Sequence, residues 1–119
     1  MARIFRALRS VGAVVLALLV AYLLLARGGD TDGPEARRLV ANGAALVDVR
    51  TPAEFAAGHL EGAANIPLQE LDARIAEVGD RARPVVVYCR SGTRSAAAAR
   101  MLRGAGYRSV HDLGAMSRW

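Results

Sequence analysis

A run of seventeen residues without a charge, Ser10 to Ala26, divides this 119-residue chain into two unequal parts. As a helix rising about 1.5 Å per residue, it would be roughly 25 Å long, against a hydrocarbon core of about 30 Å. The flanking Arg9 and Arg27 could extend to the lipid headgroups. The run is apolar all round, whereas a helix that packs on a folded core keeps a polar stripe. We therefore predict a membrane-inserting helix over residues 10–26.

The first ten residues contain Arg3, Arg6 and Arg9 but no acidic residue, a layout typical of export signals. We expect a single-pass protein of the inner (cytoplasmic) membrane, with its domain in the periplasm. The alternative is a periplasmic protein released by signal cleavage. An uncleaved anchor is favoured, because Leu24 interrupts an A-x-A type of cleavage site before Arg27. The predicted organisation is an anchor or signal over residues 1–27, a Gly-rich linker over 28–33 and one domain over 34–119.

Charge and cysteine content exclude several classes of function. The formal charge is +5, but residues 28–119 carry twelve arginines against eleven carboxylates, a net charge near +1. That balance gives no basic surface for nucleic acid, so no nucleic-acid partner is expected. Cys89 is the single cysteine of the chain, which excludes an internal disulfide and a cysteine-built zinc site.

Short helical and extended patterns alternate along the predicted domain. This alternation predicts an α/β fold with a central, largely parallel sheet flanked by helices. The strand over 84–89 is apolar throughout, as expected of a central strand covered on both faces. Thr51, Pro52 and Glu54 form the start signature of a helix that ends at Gly58. The other predicted elements are helices over 35–41, 68–78 and 95–103, strands over 44–49 and 109–113, and a short extended piece over 64–66.

Cys89 ends the most apolar strand, at the edge of the sheet where α/β proteins bind ligands. The residues that follow it are mostly small and lead directly into a helix, so several main-chain N–H groups can converge there and bind an anion. With two arginines nearby, this environment favours a thiolate and hence a nucleophile. The alternative is a small apolar residue that ends a core strand. The candidate substrate-binding residues are Arg90, Ser91, Gly92, Thr93, Arg94 and Ser95.

Three ordered segments resemble the rhodanese domain family. They are residues 46–55 with 58–67, the loop segment 86–95, and residues 113–119. The resemblance covers residues 34–119 and implies a rhodanese-like fold. It also implies a two-step sulfur transfer, in which Cys89 takes the outer sulfur of thiosulfate or a persulfide and passes it to a thiol or cyanide. With the N-terminal apolar run, the layout is similar to small bacterial sulfurtransferases of the envelope.

The same resemblance implies supporting roles near the site for Asp48, Arg50 and His59, and no metal or cofactor. Rhodanese-fold phosphatases have one more residue in the loop, whereas four residues separate Cys89 from Arg94 here. Phosphatase activity is therefore a minor alternative. The main alternative to an enzyme is a module that relays persulfide sulfur to a partner or binds one.

Overall fold

The computed structural model describes residues 2–26 and 29–119. Its centre is one sheet of four parallel strands, in the order β2–β1–β3–β4. The strands are β1 (Ala45–Asp48), β2 (Ala64–Asn65), β3 (Val85–Cys89) and β4 (Val110–Ala115). The α-helices are α1 (Ala2–Ala26), α2 (Gly33–Ala41), α3 (Pro52–Ala57), α4 (Leu68–Leu71) and α5 (Thr93–Gly104), with 3₁₀ turns at Ile75–Val78 and Met116–Arg118. The predicted α/β fold with a parallel sheet is confirmed.

Both faces of the sheet are covered, and the sheet separates two hydrophobic clusters. On one face, Val85, Val87 and Cys89 of β3 pack with residues of α5 such as Ala98 and Leu102. On the opposite face, Val86 and Tyr88 pack with Ala36 of α2, Leu113 and Trp119. All five residues of β3 are buried, as the continuous apolar run predicted. The face occupied by Cys89 is therefore the one that α5 covers.

The prediction of one helix over residues 68–78 is wrong. The chain forms α4, leaves the helical conformation at Arg74 (φ −111°, ψ 17°) and resumes as the 3₁₀ turn. Leu71 and Val78 are both buried in the cluster under α5. The break lets both ends of the segment pack on the same face of the sheet. That requirement comes from tertiary packing, and the helical spacing of apolar residues in the sequence does not reveal it.

The prediction of a membrane anchor over residues 10–26 is also wrong. In the part of the chain that the structure describes, no helix is both long enough and apolar enough to cross a membrane. The physical reason is length, because seventeen uncharged residues fall short of the roughly twenty that a span requires, and the rest of α1 contains Arg3, Arg6 and Arg9. The expected inner-membrane localisation with a periplasmic domain is contradicted by the same finding.

The segment between α1 and α2 holds the predicted linker. Met1, Arg27 and Gly28, where the predicted boundary of the anchor falls, lie outside the described residues. The amides of Asp30 and Thr31 both donate to the carbonyl of Asp112 in β4, at 2.8 and 3.1 Å. Part of the predicted linker thus packs on the sheet, and a domain start at residue 34 stays a prediction.

Candidate active site

Cys89 lies at the carboxyl end of β3, fully buried beneath the start of α5. The Gly92 amide donates a hydrogen bond to its Sγ at 3.0 Å. The thiol in turn lies 3.5 Å from the Ser95 hydroxyl, which donates to the Gly92 carbonyl at 3.1 Å. The sulfur therefore belongs to the apolar cluster on this face and is also held by polar groups of the loop that follows it.

The loop over residues 90–92 turns sharply into α5 because of Gly92. Its φ of +103° lies in the left-handed region, which glycine adopts without the steric cost of a Cβ. This conformation directs the Gly92 N–H back at the sulfur. The sequence predicted several converging amides; among the described residues one of them, that of Gly92, donates to the sulfur. Gly92 and Ser95 are buried, while Arg90, Ser91 and Thr93 are exposed.

Arg94 is held by Glu54 of α3, forty residues earlier in the chain. Its two terminal nitrogens bond the two carboxylate oxygens at 2.7 and 3.0 Å, and the side chains are 29% and 27% exposed. Glu54 also completes the predicted capping box with Thr51. One carboxylate thus ties the start of α3 to the first turn of α5. Sequence reasoning assigned Glu54 only to the cap.

The paired Glu54 predicts a specific dependence of stability on pH. The hydrogen bonds from Arg94, and next the Thr51 amide, lower the pKa of Glu54 from 4.5 to about 2. Because the pKa is lower in the folded state, the stabilisation is complete above about pH 4.5 and is lost as the pH falls toward 2. We expect the free energy of unfolding in urea to fall more between pH 6 and pH 3 for the wild type than for Glu54→Gln. Equal losses in the two proteins would contradict this.

Arg90 differs from the other arginines near the site. Its side chain is exposed and takes part in none of the ion pairs found among the described residues. It directly follows Cys89, so its guanidinium is available to an anion that approaches the loop.

A buried ion pair lies at the end of β1, the strand next to β3. Both carboxylate oxygens of Asp48 accept hydrogen bonds from the Arg50 side chain, at 2.7 to 3.1 Å, and one accepts from the Arg50 amide. Arg50 also donates to the Gly58 carbonyl at 2.7 Å, and its guanidinium carbon lies 5.7 Å from the centre of the Tyr88 ring. Burial raises the pKa of Tyr88 to about 12, so its hydroxyl stays neutral and accepts from the Leu60 amide. The network joins β1, β3 and the segment after α3.

His59 is exposed and stacks on Phe55, with ring centroids 3.6 Å apart. Its Nδ1 lies 2.8 Å from the Phe55 carbonyl, so its visible contacts are with α3 and not with Cys89. Within the described residues, no group of three or more His, Cys, Asp or Glu side chains is placed to hold a metal ion.

The comparison with known proteins assigns the family. The model of the rhodanese-like domain matches residues 33–119. The chain belongs to the rhodanese-like domain family. The three ordered segments that resembled rhodanese in the sequence all lie within this match.

Several known proteins are similar to a large part of this chain. The chain is 36% identical to the uncharacterised protein YqhL of Bacillus subtilis, over 90% of this chain and 85% of that protein. It is 41% identical to the thiosulfate sulfurtransferase PspE of Escherichia coli, over 59% of this chain and 68% of PspE. The human single-domain sulfurtransferase TSTD1 superposes with a TM-score of 0.66 at 34% identity, over 72% of this chain and 89% of TSTD1. The fold and the family thus agree.

Proposed function

We propose that this protein is a sulfurtransferase, which moves sulfane sulfur from thiosulfate or a persulfide to a thiol or cyanide through a persulfide on Cys89. The observation that carries the proposal is the Gly92 amide, which donates to the Cys89 sulfur at 3.0 Å. A main-chain N–H that donates to sulfur at the start of a helix can stabilise negative charge on an attacking or departing sulfur. Membership of the rhodanese-like family and relatives named thiosulfate sulfurtransferase support the same chemistry.

The proposed first step is a displacement at sulfur. The Cys89 thiolate forms a bond to the outer sulfur of thiosulfate, and the bond between the two sulfurs of thiosulfate breaks. The electron pair leaves with sulfite, and Cys89 carries the persulfide. In the second step, cyanide or a thiolate attacks the outer sulfur, and the Cys89 thiolate is restored. Electrons and sulfur balance without a metal or an organic cofactor.

The loop supplies the proposed binding groups. Amides over residues 90–94 would hold the anionic sulfurs, and the exposed Arg90 would bind the sulfonate end of the donor and stabilise the departing sulfite. Ser95, in the first turn of α5, lies 3.5 Å from the sulfur. We assign Asp48 and Arg50 to structural support near the site, since their ion pair lies at the end of β1, beside Tyr88 of β3.

The burial of Cys89 adds a requirement to this mechanism. The side chain has no exposed surface, so residues 90–93 must open enough to admit the donor and then close on it, so that their amides can hold it. Three of these four residues are exposed, and their displacement uncovers no large apolar surface. A purely structural cysteine would stay inaccessible to the donor.

The deciding experiment is an intact mass of the native full chain after incubation with thiosulfate. We expect the gain of one sulfur atom, its loss on addition of cyanide, and the release of thiocyanate. Because Cys89 is the single cysteine, the added sulfur can be assigned without mapping. No gain in mass would contradict the proposal. Gain of sulfur without turnover by cyanide or thiols would instead indicate a relay module.

A further inference from the structure

The three arginines around the loop differ in whether a carboxylate balances their charge. Arg50 is paired with Asp48 at 2.7 Å and Arg94 with Glu54 at 2.7 Å. Arg90 is in none of the ion pairs found among the described residues. An incoming anion therefore meets one unbalanced guanidinium, although the sequence places two in the loop.

Glu54 is fixed in place by more than Arg94. Its Oε1 accepts from the Thr51 amide at 3.2 Å and from the Thr51 hydroxyl at 3.1 Å, besides Arg94. Its Oε2 accepts from the second terminal nitrogen of Arg94. The carboxylate is thus held by the backbone of α3 and cannot follow Arg94 toward a bound anion without breaking the capping box.

The Glu54–Arg94 pair lies at the start of α5, next to the reactive sulfur in the sequence. Arg94 is in the first turn of α5, whose start covers Cys89. The hydrogen bond with Glu54 is the main cause that raises the pKa of Arg94. Because Arg94 lies in the helical turn over the sulfur, the carboxylate bonded to it adds negative potential where the donor must bind.

We propose that Glu54 is a specificity-determining residue, which acts through Arg94 to disfavour doubly charged sulfur donors relative to singly charged ones. The favoured class is a monoanion with a transferable sulfur, such as an alkyl persulfide or a thiosulfonate. This inference rests on the proposed sulfurtransferase function and deepens it.

The test compares two donors that differ in charge but share the transferable sulfur: thiosulfate, a dianion, and methanethiosulfonate, a monoanion. With either donor, Cys89 takes the outer sulfur, and sulfite or methanesulfinate leaves with the electron pair. Glu54→Gln removes the charge, and glutamine still serves in a capping box. We expect the ratio of kcat/KM for thiosulfate to that for methanethiosulfonate to rise roughly three- to tenfold at low ionic strength. If the substitution makes the loop less ordered, kcat/KM should fall equally for both donors, and the ratio is then unaffected.

Glu77→Gln is the matched control. Glu77 is also bonded to an arginine, Arg74, at 2.6 Å, but it lies beside Ala45 and Arg83, where the strands begin. Its substitution should leave the donor ratio unchanged. Three results would overturn the inference. The first is a donor ratio that is unchanged in Glu54→Gln, and the second is a ratio that rises equally in both variants. The third is that Glu54→Gln alone is inactive, so that no ratio can be measured.

A second measurement does not depend on sulfur transfer. Iodoacetate and iodoacetamide alkylate the same thiolate but differ by one negative charge. In Glu54→Gln, the ratio of the rate with iodoacetate to the rate with iodoacetamide should rise, and in Glu77→Gln it should not. If the wild type takes sulfur from neither donor but this alkylation ratio rises, the proposed function fails, while the effect of Glu54 on anions that approach Cys89 stands. An unchanged alkylation ratio would overturn that role.

Discussion

Replacement of Cys89 by serine is expected to abolish both sulfur loading and thiocyanate formation, with a loss of at least about a thousandfold. An alkoxide is not available at neutral pH, and an oxygen at this position cannot carry the persulfide. The chain holds no second cysteine, so no neighbouring thiol can replace it. The measurements are the intact mass after thiosulfate and the rate of thiocyanate release.

The variant must be shown to be folded, because Cys89 is part of the core cluster under α5. Serine can keep the hydrogen bond from the Gly92 amide, and Cys89→Ala provides a variant without a polar atom. Far-ultraviolet circular dichroism and urea unfolding should show native structure in at least one of them. Sulfur loading that persists in a folded variant would place the nucleophile elsewhere and contradict the proposed mechanism.

Replacement of Arg50 by methionine is expected to lower the free energy of unfolding by about 3–5 kcal/mol. Asp48 has no exposed surface and loses every side-chain donor when the guanidinium is removed. The Arg50 main-chain amide still donates to Asp48 in this variant, but a buried carboxylate without a charged partner is far more costly than the same group at the surface. The Gly58 carbonyl also loses a donor. Urea unfolding at pH 7 measures the effect.

Two comparisons make the Arg50 result interpretable. Arg38→Met breaks a surface pair with Glu35, in which the side chains are 61% and 42% exposed, and it should cost under about 1 kcal/mol. The double variant Asp48→Asn with Arg50→Met removes the stranded charge and should be more stable than Arg50→Met alone. A loss for Arg50→Met no larger than for Arg38→Met would show that the buried pair does not stabilise the fold.

The local parts of the site could be predicted from the sequence. The Thr51–Glu54 capping box and the apolar strand that ends at Cys89 both appear in the structure. So does the turn at Gly92 that brings an amide to the sulfur. Each depends on residues within about four positions of one another, where steric and hydrogen-bonding preferences act directly.

The N-terminal helix shows where local reasoning failed. An uncharged run and flanking arginines predicted a membrane span, but a span also depends on continuous apolar length. Because the run is apolar all round, the sequence correctly excluded a helix packed in the core, and residues 11–23 are exposed. The same apolar character was not enough to establish a membrane helix.

The sequence alone determined the alternation of strands and helices along the chain, the cap of α3, the position of the loop after Cys89 and the family to which the domain belongs. What only the tertiary structure decided is which charges meet. The parallel sheet brings α3 and α5 together, so Glu54 pairs with Arg94 across forty positions of the chain, and Arg90 is left exposed. An ion pair between distant residues depends on how the elements pack. Local composition and periodicity carry no information about that packing, because they describe only neighbours along the chain.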